Sequence, residues 1–341
     1  MDMTTTSPKP QEVPDSLRNR KSIGVSDPLD PQKVVSSFTV VTYNILADCH
    51  TKPSYYPYRE PEFLDQDFRH TLLMKELAAM DADVYCMQEV GSNYYVEKLE
   101  PEMRNKGYCG LFVKRTILSY KEGCATFFRI SKFALMDNRI FPVDNLAEEA
   151  IDAVGITNEN FKSRFCYGRG SVLQMTTLTC LSSNCVVTFA NTHLVWQGTQ
   201  IPDVRCMHAA CCVKALSQYR HPMACGVVFC ADFNAQPHTT TYAMLTTGGD
   251  FGNSIDEVKP FLDEYWGKEP PVTNLDGEFQ DCLDYILFRT QTSSDNRSLK
   301  LIPSQVVDFL SVDEMRQNLP PSPVFPSDHL PLIATFILVK E

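Results

Sequence analysis

The chain has 341 residues, 43% of them hydrophobic and 21% charged, an ordinary globular balance with enough apolar content for one sizeable core. Its formal charge of −11 and isoelectric point near 5.2 exclude a broadly basic surface that draws polyanions from a distance, so an anionic ligand must find positive charge supplied locally. No apolar run approaches the roughly 18 residues of a membrane span and no signal peptide opens the chain, while the 13 cysteines lie mostly in apolar runs without a C-x-x-C pair, as reduced core thiols do.

Residues 1–35 are rich in Ser, Thr, Pro and charge and read as a disordered leader. Residues 36–341 then form a single domain. Phe38 to Tyr43 alternates and is β-branched, a strand whose last rigid position is Asn44. Phe68, Leu72, Leu73 and Leu77 recur at helical spacing and predict an amphipathic helix from Asp65 to Met80. Val84 to Met87 is a buried strand, followed by a helix from Tyr94 to Asn105 that stops at Gly107. Further strands are expected at Ala125–Phe128, Ser171–Met175, Val186–Phe189 and Val227–Cys230. Between the last two, Asp203 to Tyr219 reads as a helix capped by Asp203, with Val204, Met207, Cys211 and Leu216 inward. Asp250–Pro271 and Ser311–Pro326 suit loops or short helices on the rim of a cleft. The order of elements indicates an α/β domain of two packed sheets with helices outside.

Polar motifs close or interrupt these apolar runs, and their residue types suit hydrolysis of a phosphate ester. That reaction needs a hard cation to neutralise phosphate oxygens, a group to orient water, and donors for developing charge. Glu89, after an apolar strand, is the principal candidate metal ligand. A solvated strand-end glutamate would be the ordinary reading of Gln88-Glu89 alone; the company of the other motifs reverses it. Asp232 and Asn234, two apart around Phe233, point to one face if the backbone is extended, whereas an isolated Asp-x-Asn is more often an Asx-turn. Asp232 suits water or a second metal, and Asn234 a non-bridging oxygen. Asp284 and His329 form a pair in which the carboxylate would fix the imidazole tautomer, with Asp328 reaching a second ion and His193 stabilising the transferring phosphate.

The ordered set Tyr43-Asn44-Ile45-Leu46-Ala47-Asp48, Gln88-Glu89-Val90, Gly123-Cys124-Ala125-Thr126-Phe127-Phe128, Asn191-Thr192-His193-Leu194, Asp232-Phe233-Asn234, Cys282-Leu283-Asp284-Tyr285-Ile286 and Pro326-Ser327-Asp328-His329 resembles the endonuclease/exonuclease/phosphatase superfamily. Within it, the likeness is to the branch of nocturnin, Angel, mitochondrial 2′-phosphodiesterase and the catalytic deadenylases of the Ccr4–Not complex. The resemblance spans nearly all of residues 38–339. It implies a DNase-like four-layer α/β sandwich, two packed mixed β-sheets flanked by helices. The implied activity is that of a Mg²⁺-dependent 3′-to-5′ exoribonuclease on poly(A) releasing 5′-AMP, with Mn²⁺ as a substitute ion.

By that likeness Asn44 and Glu89 carry and orient the first metal, with Asp328 as a further ligand. His193, Asp232, Asn234, Asp284 and His329 make the phosphate and water site. Phe279 falls where the deadenylases place a ring for base stacking, a core phenylalanine being the equal alternative. Asn191 and Arg169 complete the expected substrate-binding set. Departures from the family pattern are the run Val195-Trp196-Gln197-Gly198 and the lack of leucine-rich repeats, so a monomer without stable docking on the Ccr4–Not complex is expected. Lys114, Arg115 and Lys121 suggest a small basic lip for RNA. An NADP(H) 2′-phosphatase, a 2′-5′ oligoadenylate phosphodiesterase and an RNA-binding scaffold with an inactive site are the other readings. The expected location is intracellular and cytoplasmic, with nuclear and mitochondrial placement left open.

Overall fold

The computed structural model describes residues 20–24, 30–196, 200–247, 272–277, 279–295 and 298–341, and the backbone of 259–260. Its strands are β1 (Ser22–Gly24), β2 (Val34–Asn44), β3 (Val84–Gly91), β4 (Tyr108–Lys114), β5 (Glu122–Arg129), β6 (Phe133–Pro142), β7 (Val172–Cys180), β8 (Val186–His193), β9 (Ala224–Asp232), β10 (Lys259–Pro260), β11 (Asn274–Asp276), β12 (Phe279–Asp281), β13 (Asp284–Thr290), β14 (Leu299–Val307) and β15 (Leu332–Lys340). The helices are α1 (Gln66–Met80), α2 (Glu100–Asn105), α3 (Val143–Ala153), α4 (Glu159–Cys166), α5 (Pro202–Gln218), α6 (Thr240–Thr247) and α7 (Val312–Gln317).

Two mixed sheets stack face to face. One runs β1-β14-β15-β2-β3-β5-β4 and the other β10-β13-β9-β8-β7-β6. Phe38, Val40, Cys86 and Phe128 of the first sheet meet Leu178, Phe189, Val228 and Ile286 of the second. On the outer face of the first sheet, Leu73 and Leu77 of α1 and Met103 of α2 cover Val41, Tyr43, Tyr85 and Phe127. On the outer face of the second, α3, α5 and α6 cover Leu173, Met175, Val227 and Phe229. The result is the expected helix–sheet–sheet–helix stack. It explains why the central strands read as unbroken apolar runs: all nine residues of β9 are buried, because both faces of the strand are covered.

Helix α1 starts where the Asp65 side chain accepts the N–H groups of Asp67 at 2.9 Å and Phe68 at 3.0 Å, and ends at Asp81 in the left-handed region. The stretch read as one helix over Tyr94–Asn105 begins at Ser92 and passes through a π turn at Tyr95–Leu99. Gly107 ends it with a φ of +86°. Helix α5 corrects one expectation: Asp203 is not its cap. The helix opens on Pro202, whose missing N–H suits the first turn, and Asp203 pairs with Arg164 at 2.7 Å instead.

Order also reaches into the segment read as a leader. Ser22–Gly24 pairs with β14, and β2 begins at Val34 rather than Phe38. Strand β6 escaped prediction because it is an edge strand that exposes Leu135, Met136 and Ile140, so its apolar residues show no inward alternation. Asp250–Pro271 lies outside the described residues apart from the backbone of β10. Ser311–Pro326 holds the short helix α7, opened by a Ser311–Glu314 capping box, and packs Met315, Val324 and Phe325 against Val272 and Leu275. None of the 13 cysteines forms a disulfide, and no described helix is long and apolar enough to cross a membrane.

Candidate active site

The motifs meet because they occupy equivalent ends of strands. Asn44, His193 and Asp232 are the last residues of β2, β8 and β9, and Asp284 is the first of β13. Strands β2 and β3 are parallel, as are β8 and β9, so their C-terminal ends lie at one edge of each sheet, with His193 opposite Asp232 and Asp284 opposite Asp232. Asn44 ties the two edges together. Its Nδ2 donates to Glu89 Oε1 at 3.1 Å and to Asp232 Oδ2 at 2.9 Å across the sheets.

Behind this edge the space between the sheets turns polar. Gln88 Nε2 donates to Asn191 Oδ1 at 2.9 Å, and Asn191 Nδ2 donates to the carbonyls of Met87 and Ala125 at 3.1 Å each. Asn191 is 0% exposed. It therefore holds the sheets in register and does not line a substrate surface, a correction to its expected role.

Glu89 reaches the cleft through a β-bulge: the β3–β5 register shifts between Met87 and Val90, and Glu89 has a φ of +52°. Leu46 and Asn234 are also left-handed, at +56° and +50°. Such conformations are uncommon for residues with a side chain and are held by surrounding contacts. The Leu46 N–H donates to Asn44 Oδ1 at 3.0 Å and the Ala47 N–H to Glu89 Oε2 at 3.0 Å. For Asp232 and Asn234 the Asx-turn is the correct alternative, since the Asn234 N–H donates to Asp232 Oδ1 at 2.9 Å. The turn still delivers Asn234 to the site, where its Nδ2 contacts His193 Nε2 at 3.0 Å and donates to the Leu194 carbonyl at 3.0 Å.

The two histidines are pushed in opposite directions. His329 Nδ1 donates to Asp284 Oδ2 at 2.8 Å, and its Nε2 lies 3.8 Å from Asp232 Oδ2. Burial opposes protonation of His329, but Asp284, Asp232 and Asp328 outweigh it and hold the ring well above its ordinary value. His193 is held well below that value by burial first, then by the positive charges of Arg115 and His329. Burial, with the nearby Asp284 carboxylate, raises Asp232 to about 7. Glu89 is pushed up by burial but ends below its usual range because His50, the Asn44 amide, His329 and the Ala47 N–H favour its anion. Asp328, raised by burial, accepts from Tyr56 Oη at 2.9 Å.

Residues 41–329 match the endonuclease/exonuclease/phosphatase family. The chain belongs to that family. Similar curated proteins include 2′,5′-phosphodiesterase 12 of Mus musculus, 31% identical over 328 residues that span 87% of this chain and 51% of that protein. Another is the CCR4-Not complex 3′-5′-exoribonuclease subunit Ccr4 of Candida albicans, 29% identical over 89% of this chain and 41% of that one. The chain thus spans about half the length of the curated relatives it matches. Among solved structures, ANGEL2 in complex with adenosine-2′,3′-vanadate superimposes with a TM-score of 0.71 at 20% identity, covering 94% of this chain and 98% of that one. The human Nocturnin catalytic domain with bound sulfate gives 0.66 at 21% identity, covering 96% and 99%. Both likenesses are of fold.

The residues of this family member fit a hard divalent cation. Asp284 Oδ1 is buried without a hydrogen-bond partner, and atoms of Asp232, Asp284 and His329 lie within 4.8 Å of one another. Two carboxylates and an imidazole so placed could hold a divalent metal ion, with the Glu89 carboxylate tied to Asp232 through Asn44. Asn44 spends its amide on orienting Glu89 and Asp232.

Phe279 is 38% exposed on β12, so its ring is not a core residue. The β11–β12 hairpin is stitched beside His329 by the Leu275 N–H donating to the Asp328 carbonyl at 2.9 Å and the Leu330 N–H to the Thr273 carbonyl at 2.7 Å. The Arg169 guanidinium donates to the Arg164 carbonyl at 2.9 Å and its backbone N–H to Asp144 Oδ2 at 3.1 Å, contacts that tie it to α3 and α4.

The basic lip is also corrected. Arg115 is buried, ion-paired with Glu122 and bonded to Ser171 Oγ at 3.2 Å, while Lys114 donates to the Leu118 carbonyl. Sequence reasoning passed over Tyr56, which lies in an aperiodic Pro- and Tyr-rich stretch with no local signal. It also passed over His50, which its hydrogen bond with Cys49 raises to about 9 against the effect of burial.

Proposed function

We propose that the protein is a Mg²⁺-dependent phosphodiesterase that trims RNA from the 3′ end as a deadenylase, releasing 5′-AMP from poly(A). The observation that supports this reading is the convergence of Asn44, Glu89, His193, Asp232, Asp284 and His329 at adjoining ends of the two sheets, next to the hairpin that carries the exposed ring of Phe279. Glu89, Asp232 and Asp284 would hold the metal, which when bound supplies charge neutralisation at the phosphate and a more acidic water. Protonated His329, locked by Asp284, donates toward the developing negative charge. Neutral His193 and Asn234 bind a non-bridging oxygen, and deprotonated Asp232 accepts the proton of the attacking water. Phe279 stacks on a base, a contact worth roughly 1–3 kcal/mol.

A second reading, a 2′-5′ oligoadenylate phosphodiesterase, draws on the 31% identity to 2′,5′-phosphodiesterase 12. One assay separates the two. Poly(A), 2′-5′ oligoadenylate and NADP(H) are offered in parallel with Mg²⁺, and with EDTA as control. Shortening of poly(A) from its 3′ end, abolished by EDTA, is the expected result. Turnover of the 2′-5′ substrate alone transfers the site to the second reading, and turnover of NADP(H) alone overturns both.

A further inference from the structure

Arg69 lies in the interior stripe of α1, one residue after Phe68 and three and four before Leu72 and Leu73, and is 5% exposed. A guanidinium in that position is unusual, because removing its charge from water is unfavourable unless its donors are met. Its Nη1 donates to the carbonyls of Leu46 at 2.8 Å, Pro326 at 3.1 Å and Ile45 at 3.3 Å. These acceptors belong to two chain segments about 280 residues apart. The first, just after Asn44, contains left-handed Leu46 and the Ala47 N–H that holds Glu89. The second runs directly into Ser327, Asp328 and His329. Ser327 Oγ adds one more tie between them, donating to the Asn44 carbonyl at 2.7 Å. Arg69 and Glu89 also line the same small surface pocket, with Pro326.

We propose that Arg69 is a positioning residue: a buried guanidinium strut that fixes the Asn44–Glu89 half of the site against the Asp328–His329 half without touching substrate. Its hold on the Leu46 carbonyl sustains the left-handed turn that aims the Ala47 N–H at Glu89. Its hold on the Pro326 carbonyl sets where Asp328 and His329 begin. The inference rests on the reading of Glu89 and His329 as parts of one catalytic site.

The test compares Arg69→Met, Arg69→Lys and Glu89→Ala in the full chain by kcat and KM on an adenosine homopolymer, calorimetric Mn²⁺ binding, and Tm. Arg69→Met is expected to lower kcat and weaken Mn²⁺ binding by about 10–100-fold each, the range for lost supporting contacts around a metal site, with KM little changed. Arg69→Lys, which keeps the charge but not the planar fork, should recover part of both. Wild-type kcat and Mn²⁺ affinity per folded molecule in Arg69→Met overturns the proposal, whatever its Tm. If that variant does not fold, Arg69→Lys with wild-type values overturns it equally. An inactive wild type whose Mn²⁺ binding is still weakened by Arg69→Lys would instead sink the substrate assignment and leave the strut standing.

Discussion

His329 and His193 are both strand-end imidazoles, both buried, and both near Asp232, at 3.8 and 3.5 Å. Yet one is held charged and the other neutral. His329 stands among Asp284, Asp232 and Asp328, whereas His193 faces Arg115 and the cation of His329 itself. The residue type therefore says little about the role. Burial disfavours the charged form of both rings; the carboxylates around His329 overcome it, whereas the cations near His193 add to it.

The largest break in this comparison is expected from His329→Ala, which should lower kcat by about 10³-fold, within the range for a positioned proton donor. Steady-state kinetics alongside thermal denaturation measures it. A variant that keeps its turnover removes His329 from the mechanism. His193→Ala, losing a neutral contact to one oxygen, should reduce kcat by about 10²-fold. Equal losses in both variants, with the same pH dependence, would contradict the division of charge.

Titration sharpens the contrast further. The folded-state value of His329 is raised, so its stabilisation is complete below the unfolded value near 6.5 and fades as pH climbs through the raised one. For His193 the folded value is lowered, so the unfolded chain binds the extra proton and stability is lost as pH falls below about 6.5. In metal-free protein, the stabilising effect of His329 relative to His329→Asn should shrink toward alkaline pH, and His193→Asn should gain on wild type toward acid. Denaturation midpoints measured across that range give the answer, and parallel curves would refute it.

Burial and the Asp284 carboxylate push Asp232 up to about 7, and it must be deprotonated to hold a cation. Apparent Mg²⁺ affinity should therefore fall by up to about tenfold per pH unit below that point and level off above it. Calorimetry showing a flat profile from pH 5 to 8 would exclude Asp232 as a ligand. The smallest effect concerns Phe279→Ala, which should raise KM for poly(A) by about tenfold with kcat nearly intact. An unchanged KM would return the exposed ring to the status of an ordinary surface residue.

Much of this arrangement was readable before any coordinates. The alternating run that ends at Asn44 and the apolar runs before Asp232 and His193 marked strands, and the same strand ends supplied the functional groups. The pairing of Asp284 with His329 followed from what an imidazole needs to hold one tautomer. Other features had no local signature. Asn191 and His193 lie two apart on β8 and so share a face, but Asn191 sits deeper between the sheets, bonded to Gln88, whereas His193 ends the strand at the cleft. Arg169 was expected to bind substrate and Arg115 to sit on a basic lip; their partners Arg164 and Glu122 come from chain geometry that periodicity does not encode.

Periodicity and residue chemistry are local to the chain, so most strands and helices, the family likeness and the cast of acidic, amide and imidazole groups were legible there. Which of those groups share a cleft, which tie the sheets together, and which histidine is charged came from the folded arrangement. Those outcomes depend on a β-bulge at Glu89, left-handed turns at Leu46 and Asn234, and burial beside particular charges, all set by contacts between residues far apart in the chain.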